Sequence, residues 1–375
     1  MLFHSLYEKD GVDPYVIQLA LTLDGPLSPE LLRASAEALV GRHDILRVSF
    51  HPRSSGQAVQ IVHETIAVPW AELDLSGFCV AERQERLGRY RAKDRATRFD
   101  MARSPLLRFC LVKFAAEQHV LLMTYHHILL DAWSFQLVIQ ELFLLYARKA
   151  DPSELGEAVT FRRYLAWLIN RDRQAAGDAW RKSLAGLPGP TLVAGAAKAG
   201  YPASFPKLSV TKLSEELTAA LTEAARTAGL TLNTMIHGAW ALLLCRVTGQ
   251  QDVIFGQTVS GRAPDIDGIE EIVGPLINAA PVRVRLDPHE SCAALLARIQ
   301  QEQLDVIPYH HLGLADIQRA TGMNDLYDTS TAFVNGSLDS SSIPGPAAGL
   351  SVRISAAEER GQEGTGTTHY PLSLT

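Results

Sequence analysis

Two histidines, an aspartate, a tryptophan and a serine fall within one stretch, His126-His127-Ile-Leu-Leu-Asp131-Ala132-Trp133-Ser134. Imidazole is the side chain that takes or gives a proton near neutral pH, so this stretch carries the means for acid-base chemistry. The run before it, Val120 to Tyr125, is apolar and too short for a core helix, which reads as a buried strand. After it, Asp131 or Ser134 can cap a helix running to about Ala147, apolar on most of its faces and so buried. The cluster therefore sits on a strand-to-helix turn, a place from which a rigid frame projects side chains. A histidine taken singly is more often a hydrogen-bonded core residue than a catalyst. Five residue types at fixed places in a single turn are a more specific signal. A second pair, His310-His311, lacks it: Ala315 stands where the aspartate would fall, and the Leu312, Leu314, Ile317 spacing makes that pair a loop entering a helix. A structural role is the preferred reading there.

The elements that must hold the turn can be followed along the chain. Tyr15 to Leu23 alternates and is rich in β-branched and aliphatic residues, hence a strand. Ser28-Pro29 opens a helix whose Leu32, Ala36, Leu39 and Val40 share a face. Residues 81–98 carry a run of arginines that reads as a solvated helix face rather than a docking patch. Leu107 to Phe114 is a further strand, and Phe161 to Leu187 is helical, with Tyr164, Trp167, Leu168 and Trp180 as its large apolar residues. Between Leu184 and Leu208 glycine, proline and alanine crowd together, which marks an exposed connection. The predicted domains are accordingly residues 1–185 and 207–375, with 186–206 as linker. The second half is predicted to open with a strand, Leu208 to Leu213, and a helix, Ser214 to Thr227. A helix from Thr231 to Val247 follows, with Met235, Ala239, Leu242 and Leu243 along one side, and then a strand, Asp252 to Val259. Strand, helix and strand thus recur in the order of the first half, without a residue-level repeat. Residues 336–346 are rich in Gly, Ser and Pro and are expected to be flexible.

Bulk composition narrows the classes. A chain of 375 residues, 47% apolar and 20% charged, is long enough for two cored domains. A net charge of −6 argues against a nucleic-acid partner. Neither an apolar run long enough to span a bilayer nor a signal-peptide progression is present, so no membrane association and a cytoplasmic location are expected. Cys79, Cys110, Cys245 and Cys292 lie far apart with no Cys-x-x-Cys, which suggests neither a metal site nor a disulfide framework.

The pattern His-His-x-x-x-Asp-x-Trp-Ser resembles the core motif of the condensation domains of nonribosomal peptide synthetases, within the superfamily of CoA-dependent acyltransferases similar to chloramphenicol acetyltransferase. Six further segments resemble that family in order. They are the opening Met1-Leu-Phe-His-Ser-Leu6, Arg42-His43 through Arg47 and Phe50, Phe99-Asp100 through Arg108, Ser260-Gly261-Arg262, Gly274 through Asn278, Pro281 and Arg283, and Leu326 through Asn335. The resemblance implies an α/β (α+β) fold of two acyltransferase-like subdomains, arranged as a V-shaped pseudo-dimer with a tunnel between them. It also implies that His127 faces the reaction centre, that His126 and Asp131 hold the turn in shape, and that Arg262 pairs with Asp131. The pairing is physically reasonable, since a buried carboxylate is costly without a partner and guanidinium offers planar donors. Ala132, Trp133, Ser134 and Asn278 are expected along the tunnel, although Asn278 could equally serve a backbone turn.

The Trp133-Ser134 order separates the chain from epimerisation domains, the two histidines from heterocyclisation and oxygenase-recruiting domains, and the lack of an Asp-Phe-Gly-Trp-Gly segment from plant-type acyltransferases. What remains is a peptide-bond-forming domain, similar to the subtype that accepts a D-configured donor residue. In the implied reaction an aminoacyl amine on one carrier protein attacks a peptidyl thioester on another. The partners are thus an upstream donor carrier, a downstream acceptor carrier and the neighbouring synthetase domains. The phosphopantetheine arms belong to the carriers, and no cofactor of the chain's own is implied. Relative to the family pattern the opening helix lacks its beginning and the last strand, near Thr367, lacks its continuation. One departure bears on chemistry: Ala132 replaces the usual glycine. If that position needs a positive φ or close substrate approach, the domain would be weak or inactive and would only bind carriers.

Overall fold

The computed structural model describes residue 5 and residues 13–53, 58–194, 209–323, 325–334, 349–354 and 370–375. Its first sheet is assembled from β1 (Val16–Asp24), β4 (Trp70–Asp74), β5 (Leu107–Ala115), β6 (Gln118–His126) and β10 (Ser351–Ile354), in the order β10-β1-β6-β5-β4. Only the β4/β5 pairing is parallel. A hairpin of β2 (Val48–Pro52) and β3 (Ala58–Val62) stands apart. The second sheet is ordered β11-β9-β7-β8, from β7 (Asp252–Val259), β8 (Asn278–Arg285), β9 (Thr329–Ala332) and β11 (Leu372–Leu374). The helices are α1 (Pro29–Arg42), α2 (Val80–Ala96), α3 (Ala132–Ala147), α4 (Phe161–Ile169), α5 (Arg173–Ser183), α6 (Glu215–Thr227), α7 (Leu232–Thr248), α8 (Cys292–Val306) and α9 (Leu314–Thr321). The architecture is the mixed α/β one expected.

The strands of the first sheet are covered on both faces, which is why they are apolar almost throughout. Leu19, Leu21 and Leu23 of β1, with Leu121 and Met123 of β6, meet α1 and α3 in the larger core. Ala20, Val120 and Leu122 alternate to the other face, where Leu87 and Tyr90 of α2 lie against them. That helix has no fully buried residue, in keeping with its arginines. In the second sheet, Val253 and Phe255 of β7 face Trp240 and Leu244 of α7, while Ile254 faces the opposite way toward Trp180 of α5 and Ile317 of α9.

Several expectations need correction. The span from Phe161 to Leu187 is two helices, broken at Asn170 to Asp172, where Asp172 caps α5 through the Ala175 amide. The break separates two cores. Phe161 and Tyr164 belong to the first, whereas Trp180 lies in the second. Within the predicted first domain, residues 173–184 thus pack with the second core. Two later segments return to the first half: residues 266–276 supply Ile266, Ile269, Ile272, Val273 and Leu276 to its core, and β10 extends its sheet.

The Gly/Pro-rich connection is also not open along its length. Thr191 is buried, its hydroxyl accepts the Ile254 amide at 2.9 Å, and the Val193 and Ala194 amides donate to Asp328 at 2.8 Å each. The remainder of that connection, 195–208, lies outside the described residues, as do 336–346, the opening segment other than Ser5, and 367–369. Residues 209–213, predicted as strand, are exposed coil. On α7 the buried face is Thr234, His237, Gly238, Trp240, Ala241 and Leu244, not the one predicted: Leu242 and Leu243 face outward. Apolar residues surround most of this helix, so its periodicity singles out no face, and Gly238 leaves the room into which Leu296 of α8 packs. Among the described residues no single helix is long and apolar enough to cross a membrane.

Candidate active site

β6 ends at His126, and α3 begins after Asp131, so the histidines sit at the mouth of the predicted strand-to-helix turn. The helix cap is Asp131, whose carboxylate accepts the Ser134 amide at 2.7 Å. His126 is fully buried. Its Nδ1 accepts the Ile128 amide at 3.1 Å, which places the ring proton of the neutral imidazole on Nε2. Nε2 lies 2.9 Å from the Ser5 hydroxyl and 3.7 Å from the Asp13 carboxylate. Asp13 Oδ1 accepts the Tyr15 amide at 3.0 Å, and Arg98 approaches Oδ2 at 3.5 Å. Burial works to raise the Asp13 pKa, but the hydrogen bonds with His126 and the Tyr15 amide, with the Arg98 charge, bring it below the ordinary carboxylate value.

His127 is held differently. Its amide donates to the Tyr15 carbonyl at 2.8 Å, so its backbone is clamped to β1 across the sheet. The side chain is partly exposed, and among the described residues none hydrogen-bonds to its enclosed Nδ1. Burial pushes its pKa below the usual histidine value, against the pull of neighbouring carbonyls and of Asp131. The result is a neutral, partly exposed imidazole on a fixed backbone.

Asp131 turns away from the histidines and toward the second half of the chain. Its Oδ2 accepts the Leu276 amide at 3.1 Å, and its Oδ1 lies 3.4 Å from Arg262. Arg262 also donates to the carbonyls of Ile269 at 2.6 Å and Ile272 at 3.1 Å, and to the Ser134 hydroxyl at 3.0 Å. Ser134 completes the junction by donating to the Gly274 carbonyl at 2.7 Å and accepting its amide at 3.0 Å. Asp131 and Arg262 thus form a buried latch across the two halves, in which both carboxylate oxygens and both terminal guanidinium nitrogens are engaged. Two glycines make the approach possible. At Gly261, φ +62°, a Cβ would overlap the Leu276 carbonyl, and at Gly274 it would overlap the Phe161 ring.

The four residues expected along a tunnel separate into two groups. Ala132 and Trp133 are exposed beside the histidine turn. Trp133 donates its indole N–H to the Glu270 carbonyl at 2.9 Å and lies 5.4 Å from the Arg262 guanidinium, as a partial cover over the latch. Ser134 is sealed inside the latch, and Asn278 spends its amide on the carbonyls of His310 and Leu312, at 2.7 and 2.8 Å. Neither has a side chain free for substrate: the hydroxyl and the amide are drawn into buried backbone that would otherwise lack partners. Ala132 is the first residue of α3 and is not among the residues of positive φ, so the methyl group there meets neither strain nor a buried neighbour.

Asp13, Tyr15, Ser5 and Arg98 were not legible as site residues. Asp13-Pro14 reads as an ordinary turn into a strand, and nothing local ties it to His126. The predicted structural role of His310-His311 fits its surroundings, with His310 stacked on Trp180 and His311 edge-on to Trp167. No group of three or more potential metal ligands is found among the described residues.

Comparison with known proteins agrees with this geometry. The family model described as condensation domain matches residues 1–363. A linear gramicidin synthase protein of Brevibacillus parabrevis is 38% identical over 323 residues, 85% of this chain and 4% of that protein. Bacitracin synthase 1 of Bacillus licheniformis is 32% identical over 346 residues, 90% of this chain and 6% of that protein. The chain thus spans less than a tenth of the length of these relatives. Among solved structures, the first condensation domain of the calcium-dependent antibiotic synthetase in complex with a substrate analogue superposes with a TM-score of 0.70 at 21% identity, over 94% of this chain and 82% of that one.

Proposed function

This chain belongs to the condensation-domain family, and we propose that it forms the amide bond between two carrier-bound substrates, with His127 at the reacting centre. The amine of an aminoacyl group held on a downstream carrier attacks the thioester carbon of a peptidyl group held on an upstream carrier. The C–N bond forms, the C–S bond breaks, and the amine proton ends on the sulfur of the donor carrier's phosphopantetheine arm. The observation that carries the reading is the partly exposed imidazole of His127 on a turn whose backbone is pinned from both sides. Because burial lowers the basicity of this imidazole, it is better suited to orient the neutral amine by accepting its N–H than to deprotonate an ammonium ion.

The latch joins the halves beside this turn, so the reactive centre lies where they meet, and exposed Ala132 and Trp133 form its outer lip. A channel open at both ends would let the two arms reach His127 from opposite faces while keeping water from the thioester. The same reading makes the peptidyl donor end in a D-configured residue, supported by Leu2-Phe-His-Ser-Leu-Tyr-Glu8 and His126-His-Ile-Leu-Leu-Asp131. The strain that would have favoured an inactive domain has no counterpart at Ala132.

Two loaded carriers mixed with the protein test the reading. Dipeptidyl product on the acceptor carrier, identified by mass spectrometry, is the expected result, at higher rate for a D- than an L-terminal donor. Product formation no faster than in the protein's absence overturns the assignment, and equal rates for the two donors overturn the subtype.

A further inference from the structure

We infer that Asp13 is a positioning residue that sets the orientation of His127 through the tautomer of His126; the catalytic part of this inference rests on the function proposed above. The resemblance assigns the shaping of the turn to His126 and Asp131; Asp131 caps α3 and serves the latch, its hydrogen bonds going to Ser134, Leu276 and Arg262. The support of the histidines comes from Asp13 and the strand it opens. Asp13 is 2% exposed and ionised, an arrangement that is costly unless its oxygens are occupied. Oδ1 takes the Tyr15 amide, and Oδ2 faces both Arg98 and Nε2 of His126.

The consequence follows from counting donors. Ile128 presents its N–H to Nδ1 of His126, a contact that exists only while Nδ1 has no proton. The negative charge of Asp13 favours the proton on Nε2, where the Ser5 hydroxyl can accept it. Were the proton to move to Nδ1, two N–H groups would face each other and the peptide between His127 and Ile128 would have to shift. That peptide carries His127. On its other side, the His127 amide is held by the carbonyl of Tyr15, whose own amide is held by Asp13. One carboxylate therefore controls both peptide planes flanking the reactive imidazole, and displacements of an ångström at such a group are costly in rate.

The ring-nitrogen shifts of His126, read by long-range proton–nitrogen NMR on the intact protein, should have the signature of an Nε2–H tautomer with an accepting Nδ1. An Nδ1–H signature in the unaltered protein overturns the inference without any substitution and independently of whether transfer is observed. In Asp13→Asn the signature is expected to move toward a mixture. Peptide transfer should fall about tenfold in kcat, with KM for the acceptor carrier unchanged. Asp13→Glu should restore part of both. An unchanged His126 signature in Asp13→Asn, or a loss confined to melting temperature with kcat per folded molecule unchanged, overturns it. Absence of transfer in the unaltered protein would instead count against the function proposed above, while the NMR result would still decide whether Asp13 sets the tautomer.

Discussion

The chain contains the dipeptide His-His twice, and its two settings differ in almost every respect. At His126-His127 the first ring has partners at both nitrogens, the second is clamped through its backbone, and a carboxylate lies within reach of the pair. At His310-His311 no carboxylate among the described residues pairs with either ring. Burial, with His311 adding repulsion, pushes the His310 pKa down to about 4, and Nε2 of each ring is enclosed without a partner among the described residues. His310 packs flat on Trp180 and offers its carbonyl to Asn278, which is the work of a core residue. An imidazole pair becomes a site through what fixes its proton and its backbone, and the dipeptide itself says little.

The latch is where this contrast can be broken most severely. Asp131 and the Arg262 side chain are 1% and 8% exposed, so Arg262→Ala leaves a buried carboxylate uncompensated and is expected to cost about 3 to 5 kcal/mol. The urea midpoint of unfolding measures it, and transfer should collapse with the junction. Among the described residues no comparable pair holds His310-His311. A midpoint shift worth less than about 1 kcal/mol would mean that the latch is not what joins the halves.

Next in size is His127→Ala. Among the described residues none hydrogen-bonds to the enclosed Nδ1 of the ring, so the fold should persist while transfer falls roughly a hundredfold, the range for losing a positioned acid or base. Transfer within a factor of about three of the original would remove His127 from the chemistry.

These two predictions rest on parts of the molecule that the sequence made legible to different degrees. The turn with its flanking strand and helix was readable because local signals agreed, an apolar run and an Asx cap, whereas the Asp131–Arg262 pair came from the family resemblance of Ser260-Gly261-Arg262 and was only made plausible by the cost of a buried carboxylate. The resemblance placed Ser134 along a tunnel, and it left Asn278 between a tunnel and a backbone turn, of which the backbone role is the one observed. Their true partners, Gly274 and the 310–312 backbone, lie far along the chain. Asp13 was missed for the same reason. Periodicity failed on α7, where apolar residues on nearly every side leave the choice of buried face to the neighbouring helix. The strand expected at 208–213 is, over its described residues 209–213, exposed coil, since a short strand signal is readily overridden by tertiary context.

The acid limb of the transfer rate sharpens the comparison further. His127 must be neutral to accept the amine's N–H, and burial lowers its pKa, so the imidazole stays neutral to a lower pH than free histidine does. With rates divided by the neutral fraction of the acceptor amine, which titrates at about 8, transfer should hold through pH 6.5, the ordinary histidine value, and decline only below it. A decline centred above that value would mean that the ring is charged in the resting state.

The smallest effect on transfer is expected at His310→Gln. The substitution removes a ring whose Nε2 has no protein partner, and the Asn278 contact is to backbone and survives, so transfer should stay within about a factor of two. Stability should nonetheless change in how it depends on pH. In the unfolded chain the imidazole titrates near 6.5, and in the fold near 4. Between those values the unfolded state binds a proton that the folded state refuses, so stability falls as pH is lowered across that window and levels off below it. His237, buried against Phe255 and likewise lowered to about 4, adds a second contribution over the same range. His310→Gln should consequently lose less stability between pH 7 and pH 4.5 than the unaltered protein, by roughly 1 to 3 kcal/mol in urea unfolding, and should not abolish the slope. Equal losses for the two proteins would mean that His310 is already protonated in the fold. In that case some group must be supporting its ring, and the distinction between the two histidine pairs would fail at the point where it is drawn.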